Sequence, residues 1–314
     1  MTVDLACGPF RILVEDLDHP EGVAWSPSGV LYAGGEAGQV YEVTLDGDVR
    51  EVGTTEGSLL GLTLDGAGRV YTCDCERCEV VRVDPRDGSA TVYSSAEMIL
   101  PNASAFDEAG NLYVTDSGDT KEDNGRVLVV RPGGATEVWS TDAPRYPNGI
   151  CVTAEGDALL VVESYLPGVT RIPILADGSA GAVETVALLP GTVPDGVALD
   201  TSGAMIVACY RPDRVVRIEH GGEPAVLAED PQGIVLNAPT NVAFAGPDLD
   251  MMAVPNVGET HLALGRAAVP GSSATVSAAP AEPSASIGIR VTPGRYDSTT
   301  STASPSAVTQ MPFG

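Results

Sequence analysis

Glu21, Asn102, Asn148 and Asp195 stand at matching places in copies of one short pattern. The copies read "HPEGVAW" (19–25), "LPNASAF" (100–106), "YPNGICV" (146–152) and "VPDGVALD" (193–200). Two more, "SLLGLTL" (58–64) and "APTNVAF" (238–244), put Leu60 and Thr240 at the same place. A fold that brings the six positions to one level gathers two carboxylates and two amides. Two carboxylates facing one another must share a proton or a cation, and the amide oxygens favour the cation. Oxygen donors without His or Cys suit Ca²⁺, with Mg²⁺ or Mn²⁺ as lesser candidates. Asp and Asn before Gly are also ordinary turn formers. That explanation serves each turn separately and leaves Glu21, a poor turn former, unexplained.

The spacing says which elements must position these residues. The pattern recurs every 39–47 residues. Eight residues after the marker stand Gly29, Gly68, Gly110, Gly156 and Gly203, each opening a second apolar run; the sixth copy has Asp248 there. Three residues after the marker stand Ala24, Thr63, Ala105, Cys151, Ala198 and Ala243, all small, as inner strands crowded around an axis require. A third run follows in five copies ("VYEV", "VVRV", "RVLVV", "VTRI", "VVRI"), then a weaker fourth. Short strands with Gly-rich turns are an all-β signature. Six four-stranded units of this length predict a six-bladed β-propeller. The first strands line its channel, so the markers form a ring. The segment "GPFRILVEDL" (8–17) alternates like a strand and is expected to supply the outer strand of blade six, closing the ring.

The chain has 314 residues, and the repeat assigns 1–270 to one propeller domain. Residues 271–314, rich in Ser, Thr, Ala and Pro, read as a low-complexity, disordered tail. The balance of 17 basic and 43 acidic residues leaves a net charge of −26, which repels nucleic acid and anionic membranes. No stretch is long and apolar enough to cross a bilayer. "MTVDLACGPF" lacks the features of a secretory signal. Six Cys without an export signal predict free thiols and a cytoplasmic setting. Oligomeric state is not legible.

"PEGVAW", "PNGICV" and "PDGVALD", at these spacings, resemble the SMP-30/gluconolactonase/luciferin-regenerating-enzyme family over roughly residues 10–266. The resemblance implies a six-bladed propeller with a calcium-type ion in its channel. It implies Glu21, Asn148 and Asp195 as metal ligands, with Asn102 touching metal or substrate. It implies a hydrolase that opens a lactone or similar ester by metal-activated water, with Asp195 as general base. Sugar-lactone members can carry an Arg two residues before the position of Asn102; here Leu100 stands there, which leaves room for a more apolar lactone or ester. The chain has no G-x-S-x-G or H-E-x-x-H motif. Organophosphate hydrolysis on the same ring, and a non-catalytic ligand-binding propeller with a structural metal, are the alternatives. A strictosidine-synthase-like propeller shares the fold without needing this donor set.

Other residues carry weaker signals. "CDCERC" (73–78) holds three Cys where a structural zinc needs four ligands, and is expected in a loop edging the entrance. Cys151 reads as packing and Cys209 as a loop residue. Tyr165 and Tyr210 are expected in equivalent loops, lining the mouth as substrate contacts. Asp116 is expected to hydrogen-bond near the site, and His19 to serve its turn. The loop 117–125 carries the chain's one Lys, Lys121, and reads either as a lid or as a solvated loop.

Overall fold

The computed structural model of the chain describes residues 3–5, 8–94 and 96–273. Residues 274–314, nearly all of the segment read as a tail, lie outside the described residues. No α-helix occurs among the described residues, so no helix there is long and apolar enough to cross a membrane.

Six antiparallel sheets form the six blades. Blade three is representative, with strands Pro101–Phe106, Leu112–Asp116, Arg126–Val130 and Thr136–Ser140 from the axis outward. Blade six runs outward from Ala243–Ala245 through Met251–Asn256 and His261–Arg266 to Gly8–Val14, with Val3–Leu5 as a fifth strand. Arg11 pairs with Leu264 and Ile12 with Ala263, so the two chain ends close the ring, as the alternation of 8–17 predicts. Closure holds although the inner strand of blade six shrinks to three residues.

The glycines eight residues past the markers open the second strands in a left-handed conformation, with φ of +95° at Gly29, +77° at Gly68, +85° at Gly110, +69° at Gly156 and +81° at Gly203. Only glycine takes that conformation without steric cost.

The apolar side chains gather into six clusters, one between each pair of neighbouring blades. Each blade is thus held by its neighbours on both sides. Ala24, Thr63, Ala105, Cys151, Ala198 and Ala243 line the axial channel, the register in which every copy is small.

Two readings of the cysteine segments need correction. Cys73 ends no loop: it lies in the strand Val70–Asp74, fully buried in the core between blades two and three. Cys209, expected in a loop, is fully buried in the strand Met205–Arg211, paired with Arg214. That strand extends because its connection to the next shortens to Pro212–Asp213. The five described cysteines are free thiols.

Candidate metal centre

A β-bulge presents the marker in four blades. Leu59 pairs with Asp74 but Leu62 with Thr72; Pro101 with Asp116 but Ser104 with Val114. Pro147 pairs with Glu163 but Ile150 with Val161; Pro194 with Cys209 but Val197 with Val207. One extra residue therefore sits in each inner strand beside Leu60, Asn102, Asn148 and Asp195. A bulge re-aims its side chain out of the regular alternation, and here it does so at the marker.

The backbone freed by each bulge is satisfied across the blade boundary. Thr115 accepts the Ala103 N–H at 3.0 Å and donates its hydroxyl to the Asn148 carbonyl at 2.7 Å. Ser117 donates to the Pro147 carbonyl and Ser164 to the Pro194 carbonyl, both at 2.8 Å. The same two serines accept the side-chain amide hydrogens of Asn102, at 3.1 Å, and Asn148, at 3.4 Å. Each amide nitrogen is thereby engaged in the wall, and each amide presents its oxygen as the free donor of the group.

Thr240 donates its hydroxyl to the Glu21 carbonyl at 2.8 Å, so it closes the ring rather than adding a free oxygen. Asn102, Asn148, Asp195 and Thr240 are buried. Glu21 as a residue is half-buried, but its carboxyl sits away from water. Burial, and then the nearby Glu36, push the Glu21 carboxyl up to about 7. Burial, and then the charge of Glu21, hold the Asp195 carboxyl well above the usual range, against a hydrogen bond from Asn148. Two buried carboxyls within electrostatic reach, flanked by two oriented amides, form a donor set that a divalent cation fits.

Acceptors at the ends of the second strands fix the chain entering the ring. Asp116, fully buried, accepts the N–H groups of Ile99 at 3.0 Å and Leu100 at 2.7 Å and pairs with Arg126 at 3.0 Å. Asp74 accepts from Ser58 N–H at 3.1 Å, Glu163 from Arg145 N–H at 2.9 Å and Asn256 from Asn237 N–H at 2.8 Å. Asp116 therefore holds the approach to Asn102, its oxygens committed to backbone and guanidinium. Among these acceptors, sequence reasoning singled out Asp116 alone. The signal was an acidic residue closing "YTCD", "YVTD" and "VVE" 14 or 15 residues after the markers.

Tyr165 lies in the turn after the second strand of blade four, half-buried and stacked on Tyr146 with ring centroids 4.8 Å apart. Tyr146, which sequence reasoning missed, is buried two residues before Asn148. Tyr210, expected in a loop, ends up inside the strand Met205–Arg211, with the Arg211 guanidinium 4.7 Å over its ring. Cys75–Cys78 turn at the same end of the channel. Burial raises the Cys75 thiol to about 11, with Glu21 adding to the shift. The loop 117–125 folds on itself, Asp119 N–H donating to Asn124 at 2.8 Å, with Lys121 exposed. Beside Glu21, the exposed His19 sits 3.2 Å from Asp18 and 3.1 Å from Glu36. Among the described residues this is the group of His, Cys, Asp and Glu whose ligand atoms all come within 4.8 Å of one another.

Fold and ring together define a six-bladed propeller with a carboxylate–amide centre on its axis. The sequence pattern of the SMP-30/Gluconolactonase/LRE-like region matches residues 19–256, and the chain belongs to that family. Among solved structures, a gluconolactonase from Xanthomonas campestris superposes with a TM-score of 0.71 at 19% identity, over 83% of this chain and 90% of that one. A calcium-binding protein, regucalcin, from Agrobacterium tumefaciens superposes with a TM-score of 0.70 at 19% identity, over 83% and 95%. A luciferin-regenerating enzyme gives 0.69 at 18% identity, over 88% and 99%. At these identities the likeness is one of fold. No curated protein sequence matches the chain significantly.

Proposed function

We propose that this chain is a divalent-metal-dependent hydrolase that opens a lactone or similar ester, with Ca²⁺ the best match to its donors. The observation that carries the reading is the pairing of Glu21 with Asp195. Two buried carboxyls held above their usual range, Asp195 in part by the charge of Glu21, are costly to keep for structure alone, and they match what a cation would relieve. Family membership supports it, as does the gluconolactonase among the structures of like fold.

Glu21, Asn102, Asn148 and Asp195 would hold the ion. When bound, such a cation supplies Lewis-acid polarisation of the ester carbonyl and acidity for water. Asp195 takes the proton of the attacking water, and its burial makes it a stronger base than an exposed Asp. Attack at the carbonyl carbon breaks the bond to the ring oxygen, which leaves with a proton. One water and one lactone give one hydroxy acid. Asn102 and Asn148 are kept in place by Ser117 and Ser164, so the ring needs no rearrangement on binding.

The test follows proton release on lactone opening, before and after chelation and with metal restored. Turnover should vanish with the chelator and return with the ion. Asp195→Asn should lower kcat at least about a hundredfold while keeping a cooperative melting transition. Turnover indifferent to chelation, or near-normal turnover in Asp195→Asn, would overturn the reading.

A further inference from the structure

Tyr146 is placed as few buried tyrosines are. It stands in the left-handed region at φ +57°, a conformation disfavoured for a bulky side chain. Its backbone is tied on both sides, N–H to the Pro144 carbonyl and carbonyl from the Ser164 N–H, each at 3.1 Å. Pro147 follows and then Asn148, so the side chain is anchored two residues from the ring. Only 9% of the residue is exposed, and its ring stacks on Tyr165 at an interplanar angle of 27°. Its hydroxyl makes no protein hydrogen bond among the described residues and is not one of the buried polar atoms left unpaired, so it stays open to solvent. Two residues from Asn148 and stacked on Tyr165, the phenol lies within electrostatic reach of Glu21, Asp195 and the Cys75 thiol.

The charges at this end narrow what can bind there. Arg77 pairs with Glu79 at 3.2 Å, Arg126 with Asp116 at 3.0 Å and Arg211 with Asp213 at 2.7 Å. Their charge is already offset, in a chain of net charge −26. Leu100, at the register equivalent to Tyr146, adds an apolar surface, and the neighbouring Ile99 is 46% exposed. An anionic substrate finds acids at the ring, with the exposed Lys121 and Arg145, the latter 3.7 Å from Asp123, only at the rim.

We propose that Tyr146 is the substrate-orienting residue of this site. Its hydroxyl hydrogen-bonds the lactone, and its ring, stacked on Tyr165, selects neutral substrates with a flat aromatic face over polyhydroxylated or anionic ones. The proposal rests on the hydrolase reading for the word lactone, and its test separates the two.

The full-length, metal-loaded protein is assayed on dihydrocoumarin, δ-valerolactone and glucono-δ-lactone, as wild type, Tyr146→Phe and Tyr146→Leu. The wild type should prefer dihydrocoumarin. Tyr146→Phe should lose about three- to tenfold in kcat/KM on both neutral lactones, the effect of one hydrogen bond, and keep the aryl preference. Tyr146→Leu should lose the preference as well. Calorimetry with the non-hydrolysable lactam 3,4-dihydroquinolin-2-one supplies a readout independent of turnover. Its affinity should fall by a similar factor in Tyr146→Phe, with melting temperature and calcium affinity unchanged. Equal lactam binding by wild type and Tyr146→Phe, or a wild type that prefers glucono-δ-lactone, would overturn the proposal. Tyr146-dependent lactam binding without turnover of any lactone would overturn the hydrolase reading and uphold Tyr146 as the ligand contact.

Discussion

Thr240 donates its hydroxyl to the backbone carbonyl of Glu21 at 2.8 Å, across a separation of 219 residues. This single bond joins the last blade to the first at the level of the ring, and it fixes the carbonyl of a residue whose side chain faces the centre. Sequence reasoning counted Thr240 as a ring hydroxyl; the structure uses it as the seam.

The first prediction concerns that seam. Thr240→Val keeps shape and removes the donor, leaving the Glu21 carbonyl without its partner. The loss should be about 1–3 kcal/mol of stability, read from urea unfolding. Divalent-ion affinity should drop about tenfold, as loss of a group that orients a ligand does. Calorimetric titration with Ca²⁺ checks it. Wild-type affinity in the variant would show that Glu21 is held without the seam.

The second prediction concerns pH. The Glu21 and Asp195 carboxyls are raised in the fold, so the metal-free folded chain binds more protons there than the unfolded one. Stability from that source is present below the unfolded pKa near 4.5 and is lost as pH rises through about 7. Carboxyls held low act in the opposite direction on the acid side. At Asp230, burial pushes up, but N–H donors including Val235 and Leu236 outweigh it; that contribution is lost as pH falls through its lowered folded pKa. The melting temperature in chelator should therefore peak near pH 5 and decline towards pH 8. Saturating Ca²⁺ should remove the decline, and Asp195→Asn should flatten it without metal. A metal-free protein equally stable at pH 5 and pH 8 would contradict the coupling.

The third prediction concerns the crowding of inner strands. A Cβ on Gly149 would stand 2.5 Å from the Asp195 carbonyl oxygen and 2.7 Å from Gly196 Cα. Both are backbone atoms of the next blade and cannot swing aside. Gly149→Ala should cost about 2 kcal/mol or more and weaken metal binding, because it pushes on Asp195. Gly156→Ala meets nothing within 4 Å and bears only its φ of +69°; it should cost about 1 kcal/mol and leave metal affinity intact. Parallel urea and Ca²⁺ titrations separate the two, and equal metal affinity in both variants would refute the crowding argument.

The fold was legible because a propeller writes each blade separately into the chain. Strand alternation, the Gly eight residues past each marker and the small residue three past it are local requirements, and local requirements repeat. Glu21, Asn102, Asn148 and Asp195 stood out for the same reason, as polar residues at a register that Leu60 fills with an apolar one. Asp74 and Glu163 were legible as acids closing the second apolar run but carried no recognisable chemistry. Ser117 and Ser164 looked like loop residues until the bulges gave them two partners each.

The sequence by itself determined the number of blades, the N-terminal closing strand and which residues are candidate oxygen donors, because each follows from the repeat. Only the tertiary structure decided what those donors feel and what stands over them. That the charge of Glu21 raises the proton affinity of Asp195 depends on closing the ring, which brings the first blade within reach of the fifth. That Tyr146 lies within electrostatic reach of both depends on a left-handed backbone and on a stacking partner in a different turn. Proton affinity and orientation are properties of neighbours, and in this chain the neighbours come from different blades.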